Sequence, residues 1–61
     1  MTETWYVVAF DLDDRPVLYS THLPRTFAER VASDWISRAD IARVEVREWV
    51  DAIARPGKTY R

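Results

Sequence analysis

The 61-residue chain contains no cysteine, one glycine and one histidine. It can therefore form no disulfide and offers no thiolate to a metal ion. A domain of this length buries only about 60% of the surface that its unfolded chain exposes, and small domains usually compensate with disulfides, a metal or oligomerisation. Association with another chain is the remaining route. We therefore expect no cofactor, and a homodimer or a complex with a host protein.

Long apolar runs are also missing. No stretch approaches the ~20 apolar residues of a membrane span, and Met1–Thr4 lacks the basic region that begins a signal peptide. These absences and the lack of cysteine predict a cytoplasmic protein without membrane association. The formal net charge of -1 gives no general attraction to nucleic acid. Basic residues that are almost all arginine, together with frequent alanine, are typical of a GC-rich genome and indicate a bacterial or phage origin.

The strongest pattern is the apolar run Trp5–Phe10, which has no charged residue on either alternating side. Successive side chains of a strand point to opposite faces, so this run predicts a central strand whose two faces both need cover. A cluster of turn residues, Asp13–Pro16, separates it from a second β-prone run, Val17–Leu23. The two runs predict a hairpin with one shared face, which carries Tyr6, Val8, Phe10 and Leu12 opposite Leu23, Thr21, Tyr19 and Val17.

A helix and a third strand follow. Thr26-Phe27-Ala28-Glu29 matches a capping box, and apolar residues at spacings of three and four predict a helix from Phe27 to Ala39. Alternation of apolar and charged residues from Ala42 to Val50 predicts a half-buried edge strand. A right-handed crossover places this strand beside the first one. We therefore predict an α+β fold: a small ββαβ domain with a three-stranded antiparallel sheet, order 2-1-3, and one helix packed on one face.

The predicted domain covers residues 1–55. Residues 51–55 fit a strand, a turn or a short helix. Pro56-Gly57 is expected to break any regular element, so residues 56–61 are predicted to form a mobile basic C-terminal tail.

The segment Val7–Arg15 is an apolar strand that ends in Asp-x-Asp, and it resembles the first motif of haloacid dehalogenase-type phosphatases. The resemblance implies a nucleophile at Asp11 and a general acid at Asp13, with Mg²⁺ neutralising the phosphate. That family usually continues with Gly-Thr, whereas Asp14-Arg15-Pro16 follows here, and its doubly wound sheet does not fit in 61 residues. We interpret the segment as an acidic hairpin turn and expect no catalytic residue and no metal site.

The sheet face away from the predicted helix has an apolar centre with an arginine and tryptophan rim, which is typical of a protein interface. Its predicted interface residues are Trp5, Val7, Leu18, Arg43, Arg47 and Trp49. Arginine stems and the C-terminal segment could instead cover this face within the monomer.

We expect a non-enzymatic protein-protein interaction module, a phage-encoded or bacterial regulatory factor that acts through its open sheet face or an edge strand. The alternative is a nucleic-acid-binding protein in which Arg43 and Arg47 contact phosphates and Trp49 stacks on bases.

Overall fold

The computed structural model describes residues 4–50 and 53–61, with the side chains of residue 50 and residues 53–56 excepted. Its elements, in chain order, are β1 (Thr4–Asp11), β2 (Pro16–Leu23), α1 (Arg25–Ile36), β3 (Ile41–Val50) and β4 (Ile53–Tyr60). The strands form one sheet of order β2-β1-β3-β4 in which all neighbours are antiparallel. The predicted α+β class and the adjacency of the first three strands are confirmed. The prediction of a three-stranded sheet was wrong, because the sheet has a fourth strand.

Strand β4 occupies most of the segment that the sequence predicted to be a mobile tail. It pairs with β3 from Val50 opposite Ile53 to Val44 opposite Tyr60, and Tyr60 packs against the core. Pro56 and Gly57 lie where the pairing register shifts by one residue. Because a bulge leaves one residue outside the ladder, it accommodates residues that a regular strand would reject. The sequence pattern therefore indicated a break where the strand continues through a bulge.

Helix α1 lies on one face of the sheet and contacts β1, β3 and, to a smaller extent, β4. The core between the helix and the sheet is built from alanine, valine and isoleucine, with alanine on the helix side: Val7, Ala9, Ala28, Ala32, Ile41, Val44 and Val46. Small side chains allow the helix backbone to approach the sheet closely. Half-buried residues close the edges of this core: Trp5, Leu18, Leu23, Val31, Trp35, Ile36 and Tyr60.

The ends of α1 differ from the prediction. The helix begins at Arg25 directly after Pro24, which has extended φ and ψ angles of -64° and 153°, and no side chain caps its first turn. The predicted capping box is therefore not formed, and Glu29 instead lies 3.8 Å from Arg25 one turn earlier. The helix ends at Ile36. Within residues 4–50 and 53–61, no helix is long and apolar enough to cross a bilayer.

Candidate interaction surface

The strand register decides which side chains share the sheet face that α1 leaves uncovered. Residues paired across two strands point to the same face. Val7 and Ala9 pair with Val46 and Val44 beneath the helix, so their sequence neighbours point away from it. We call this uncovered side the open face, and it carries Tyr6, Val8, Phe10, Val17, Tyr19, Arg43, Glu45, Arg47 and Trp49.

The six residues predicted to form the interface divide between the two faces. Arg43 and Arg47 lie on the open face, as the prediction placed them, together with Trp49. The placement of Trp5, Val7 and Leu18 there was wrong, because Val7 is fully buried in the core and the other two pack against that core beneath the helix.

Side-chain size explains why the two faces of β1 are exchanged relative to the prediction. The helix presents the fully buried Ala28 and Ala32 to the sheet, and this close contact suits Val7 and Ala9 rather than the rings of alternate residues. Tyr6 has a hydroxyl group that would need a hydrogen-bond partner in a buried position. Tyr6 and Phe10 therefore lie on the solvent side of β1, whereas Trp5 packs at the edge of the core.

Three rings cross the open face diagonally, one from each of β2, β1 and β3. The centroid of Tyr6 lies 6.0 Å from that of Tyr19, with the planes tilted at 49°. It lies 6.1 Å from the centroid of Trp49 in an edge-on arrangement of 66°. Tyr6 is half-buried, whereas Tyr19 is 66% exposed and Trp49 is 47% exposed. We call these three residues the aromatic row, in which Tyr6 is the least exposed ring.

A cleft of about 180 Å³ lies along the aromatic row. Thr21 and His22 close its β2 side, where the Thr21 Oγ1 and His22 Nδ1 atoms are 2.8 Å apart. His22 has a φ of 60° and lies at the register shift between the Trp5–Leu23 and Val7–Ser20 pairs. We call this site the aromatic cleft, and its lining residues are Thr4, Tyr6, Tyr19, Thr21, His22 and Trp49.

An ion network occupies the part of the open face nearer the β1–β2 turn. Arg43 donates hydrogen bonds to Asp14 over 2.6 Å and to Glu45 over 2.9 Å, and Arg47 donates to the second oxygen of Glu45. The Arg43 guanidinium also lies 4.0 Å from the ring centroid of Phe10, within cation–π range. Two cations and two carboxylates meet here, so the network is neutral.

Arg47 links the ion network to the aromatic row. Its hydrogen bond to Glu45 is the main cause of the raised pKa of the guanidinium; burial acts against this rise, and the hydrogen bond with the Tyr6 hydroxyl adds to it. Arginine is not deprotonated in proteins, so Arg47 is present as a cation paired with Glu45. The ion pair of Arg47 with Glu45 therefore lies beside Tyr6, at the border of the aromatic cleft.

The acidic turn that resembles a phosphatase motif has a structural role. The Asp11 carboxylate accepts hydrogen bonds from the amides of Asp13 and Arg15, each over 2.9 Å. The Asp11 amide donates a hydrogen bond to the Arg15 carbonyl over 2.9 Å. This bond closes a loop of three residues, 12–14, and the last of them, Asp14, has a left-handed φ of 62°. No group of three or more His, Cys, Asp or Glu side chains that could hold a metal ion occurs in the described part of the chain.

Comparison with protein-family models, curated proteins and solved structures finds no match for this chain. The site must therefore be interpreted from its own geometry. Sequence reasoning placed Tyr6 and Tyr19 on one shared face but put that face under the helix, and so left both out of the candidate interface. In the structure, the pairing of Val7 with Val46 and of Ala9 with Val44 fixes the helix side of β1. The sequence alone does not give this register.

Proposed function

We propose that this protein is a non-enzymatic interaction module that binds another protein through its open face. The observation that carries the proposal is the aromatic row, two of whose rings are about half exposed or more in the isolated chain. Tyrosine, tryptophan and arginine are the residues that dominate binding energy at protein interfaces. Here all three residue types lie together on one face of a rigid sheet.

Charge favours a protein partner over nucleic acid. Affinity for nucleic acid depends on cations that are free to neutralise phosphates, but both arginines of the open face are already paired with carboxylates. The chain as a whole is also slightly negative. The open face combines aromatic rings with charged groups whose charges cancel. This composition is typical of a non-obligate protein interface.

The edges of the sheet are poorly suited to pairing with a further strand. In the described residues, β2 and β4 are the outer strands. β2 has two register shifts against β1, and β4 contains Pro56, which has no amide hydrogen, next to a bulge. Bulges and proline are the features that protect sheet edges from strand addition. Of the two modes that the sequence left open, the face is therefore the better supported.

Nucleic-acid binding is a second candidate, because Arg43, Arg47 and Trp49 share one face with two tyrosine rings. Aromatic rings on a sheet bind unstacked bases in several RNA-binding modules. A gel shift with single-stranded RNA at increasing salt tests this candidate. Binding that weakens steeply with ionic strength would favour it over the protein partner.

The main test compares a double variant of the open face, Tyr19→Ser with Trp49→Ser, with the control Phe27→Ser. Phe27 is 51% exposed on the helix, so the control removes a similarly exposed ring from another surface. We expect the unaltered chain to form a homodimer or a complex with a host protein, which light scattering after size exclusion detects as a higher molar mass. The double variant should lose this complex. The control should retain it. Equal loss in both, or in neither, would contradict a role for the open face.

A further inference from the structure

We infer that Glu45 is a positioning residue of the aromatic row: it holds Arg47 against the Tyr6 hydroxyl and so fixes the central ring before a partner arrives. The consequence for binding rests on the proposed function, whereas the order of the Tyr6 ring is a property of the isolated chain. Three observations support this role: the strand register, the pairing of both Glu45 oxygens, and the burial of this carboxylate on the open face.

The strand register places the ion network directly opposite the open-face residues of β1. Three cross-strand pairs join the two strands on this face: Tyr6 with Arg47, Val8 with Glu45, and Phe10 with Arg43. Side chains paired in this way have Cβ atoms about 4.5–5.5 Å apart. Each arginine therefore lies beside an aromatic ring, and the carboxylate lies between the two arginines.

Glu45 holds both arginines at once. Its Oε2 atom accepts a hydrogen bond from Nε of Arg43 over 2.9 Å, and its Oε1 atom accepts one from Arg47. At the usual rise of a strand, Arg43 and Arg47 are separated by about 13 Å, so both guanidinium groups bend toward the carboxylate between them. The Glu45 side chain is only 14% exposed. A carboxylate buried to this extent needs partners for both oxygens.

The contact between Arg47 and Tyr6 depends on Glu45. The Arg47 side chain is 42% exposed, and a long side chain keeps its rotamer freedom unless a contact restrains it. The Tyr6 hydroxyl also hydrogen-bonds Arg47, but a neutral oxygen binds a guanidinium more weakly than a carboxylate does. Without Glu45 the two guanidinium groups would repel each other. Arg47 would then turn toward water and release Tyr6.

The neighbouring rings restrain Tyr6 less than Arg47 does. Tyr19 and Trp49 lie 6.0 and 6.1 Å from Tyr6 between ring centroids, in the outer half of the favourable range of about 4.5–7 Å. Both rings are about half exposed or more, so they can change rotamer together with Tyr6. The hydrogen bond from Arg47 restrains Tyr6 from a different side chain, which is itself held by Glu45.

The test compares Glu45→Gln with Glu48→Gln in the full isolated chain. Both substitutions remove one negative charge from β3, but Glu48 pairs with Trp5 and lies on the other face. By NMR, the Arg47 Nη protons should exchange with water at least about tenfold faster in Glu45→Gln, because a hydrogen bond between charged groups is lost. Nuclear Overhauser contacts between the Tyr6 ring and the Arg47 side chain should disappear. In Glu48→Gln the exchange rate should stay within about twofold.

Backbone amides distinguish positioning from a general loss of stability. In Glu45→Gln, amide exchange at Val7 and Val46 should match that of the unaltered chain. Equally faster exchange at these amides, or unchanged Arg47 protons and Tyr6 contacts, would show that Glu45 does not position the row. Arg47→Met is a second variant that keeps the apolar stem and leaves Glu45 paired with Arg43. It should weaken the contacts of Tyr6 with Tyr19 and Trp49, and unchanged contacts would count against the role of Arg47.

The consequence for binding is measured on the complex that the open face forms. Glu45→Gln should raise its dissociation constant about threefold to tenfold, the usual cost of ordering one more side chain at an interface. Glu48→Gln should change it less than about twofold. Equal affinity of Glu45→Gln and the unaltered chain would show that the row binds without being fixed beforehand, and would overturn this consequence.

The two proposals fail in different ways. If Glu45→Gln releases Tyr6 but the double variant at Tyr19 and Trp49 keeps its complex, the proposed function is wrong and the positioning by Glu45 stands. If Tyr6 is not released, the positioning is wrong, whatever the complex does.

Discussion

Replacing Gly57 by alanine should destabilise the fold, because the bulge in β4 leaves no room for a side chain there. A Cβ atom at this position would overlap the carbonyl oxygen of Val46, lie 3.1 Å from the carbonyl carbon of that residue and lie 3.3 Å from Cζ3 of Trp5. Non-bonded carbon atoms pack best at about 3.5–4.0 Å. Two of the three obstructing atoms are backbone atoms of β3, which cannot turn aside as a flexible side chain would.

The expected loss of unfolding free energy depends on which part of the backbone must move. To admit the methyl group, the Gly57 segment must separate from β3 beside the pairing of Val46 with Lys58. Forcing an extra methyl group into a packed site costs typically about 1–3 kcal/mol, and we expect the upper part of this range because the obstruction is backbone. A chain of 61 residues has a total unfolding free energy of about 3–9 kcal/mol. The melting temperature should therefore fall by at least about 10 °C.

Circular dichroism during thermal and urea unfolding measures this change. Thr59→Ala is the matched control, since Thr59 lies two residues further along β4 and is exposed, and it should alter stability by no more than about 0.5 kcal/mol. If residues 56–61 were a mobile tail, both substitutions would be neutral. An unchanged melting temperature for Gly57→Ala would therefore refute both the bulge and the fourth strand.

Two further substitutions test the core and the turn. Ala32 is fully buried between helix and sheet, so Ala32→Leu should lower the unfolding free energy by about 3 kcal/mol, measured by urea titration. The control Ala39→Leu changes an exposed position and should have little effect. Asp11→Ala should lower the unfolding free energy by about 1 kcal/mol, because the Asp11 carboxylate accepts hydrogen bonds from two backbone amides. Asp13→Ala should be nearly neutral. A larger loss for Asp13→Ala than for Asp11→Ala would contradict the structural role of Asp11.

The sequence predicted the order and type of the first four elements because each has a strong local signal. The run Trp5–Phe10 is too apolar for a loop, and the alternation around Val44 and Val46 specifies a half-buried strand. The sheet order 2-1-3 followed from the handedness of the crossover. These features depend on local patterning and general topology rather than on the details of packing.

The face of β1 that packs against the helix could not be predicted from β1 alone. Both alternating sides of the strand are apolar, so hydrophobicity does not distinguish them. The choice depends on the distance between the helix and the sheet, which Ala28 and Ala32 set from the other layer. Likewise, β4 could not be recognised because its bulge places Pro56 and Gly57 inside a strand. Tertiary contacts outweigh local propensity at both places.

The open face carries more ring surface than an uncovered sheet face requires. The outer face of an antiparallel sheet is usually polar, and threonine combines a high strand propensity with a hydroxyl group. Tyr19 and Trp49 instead remain about half exposed or more, so their burial contributes little to the stability of the isolated chain. Most of that favourable free energy becomes available only on contact with another molecule. Tyrosine and tryptophan each have only two side-chain torsions, so they lose little entropy when a partner covers them.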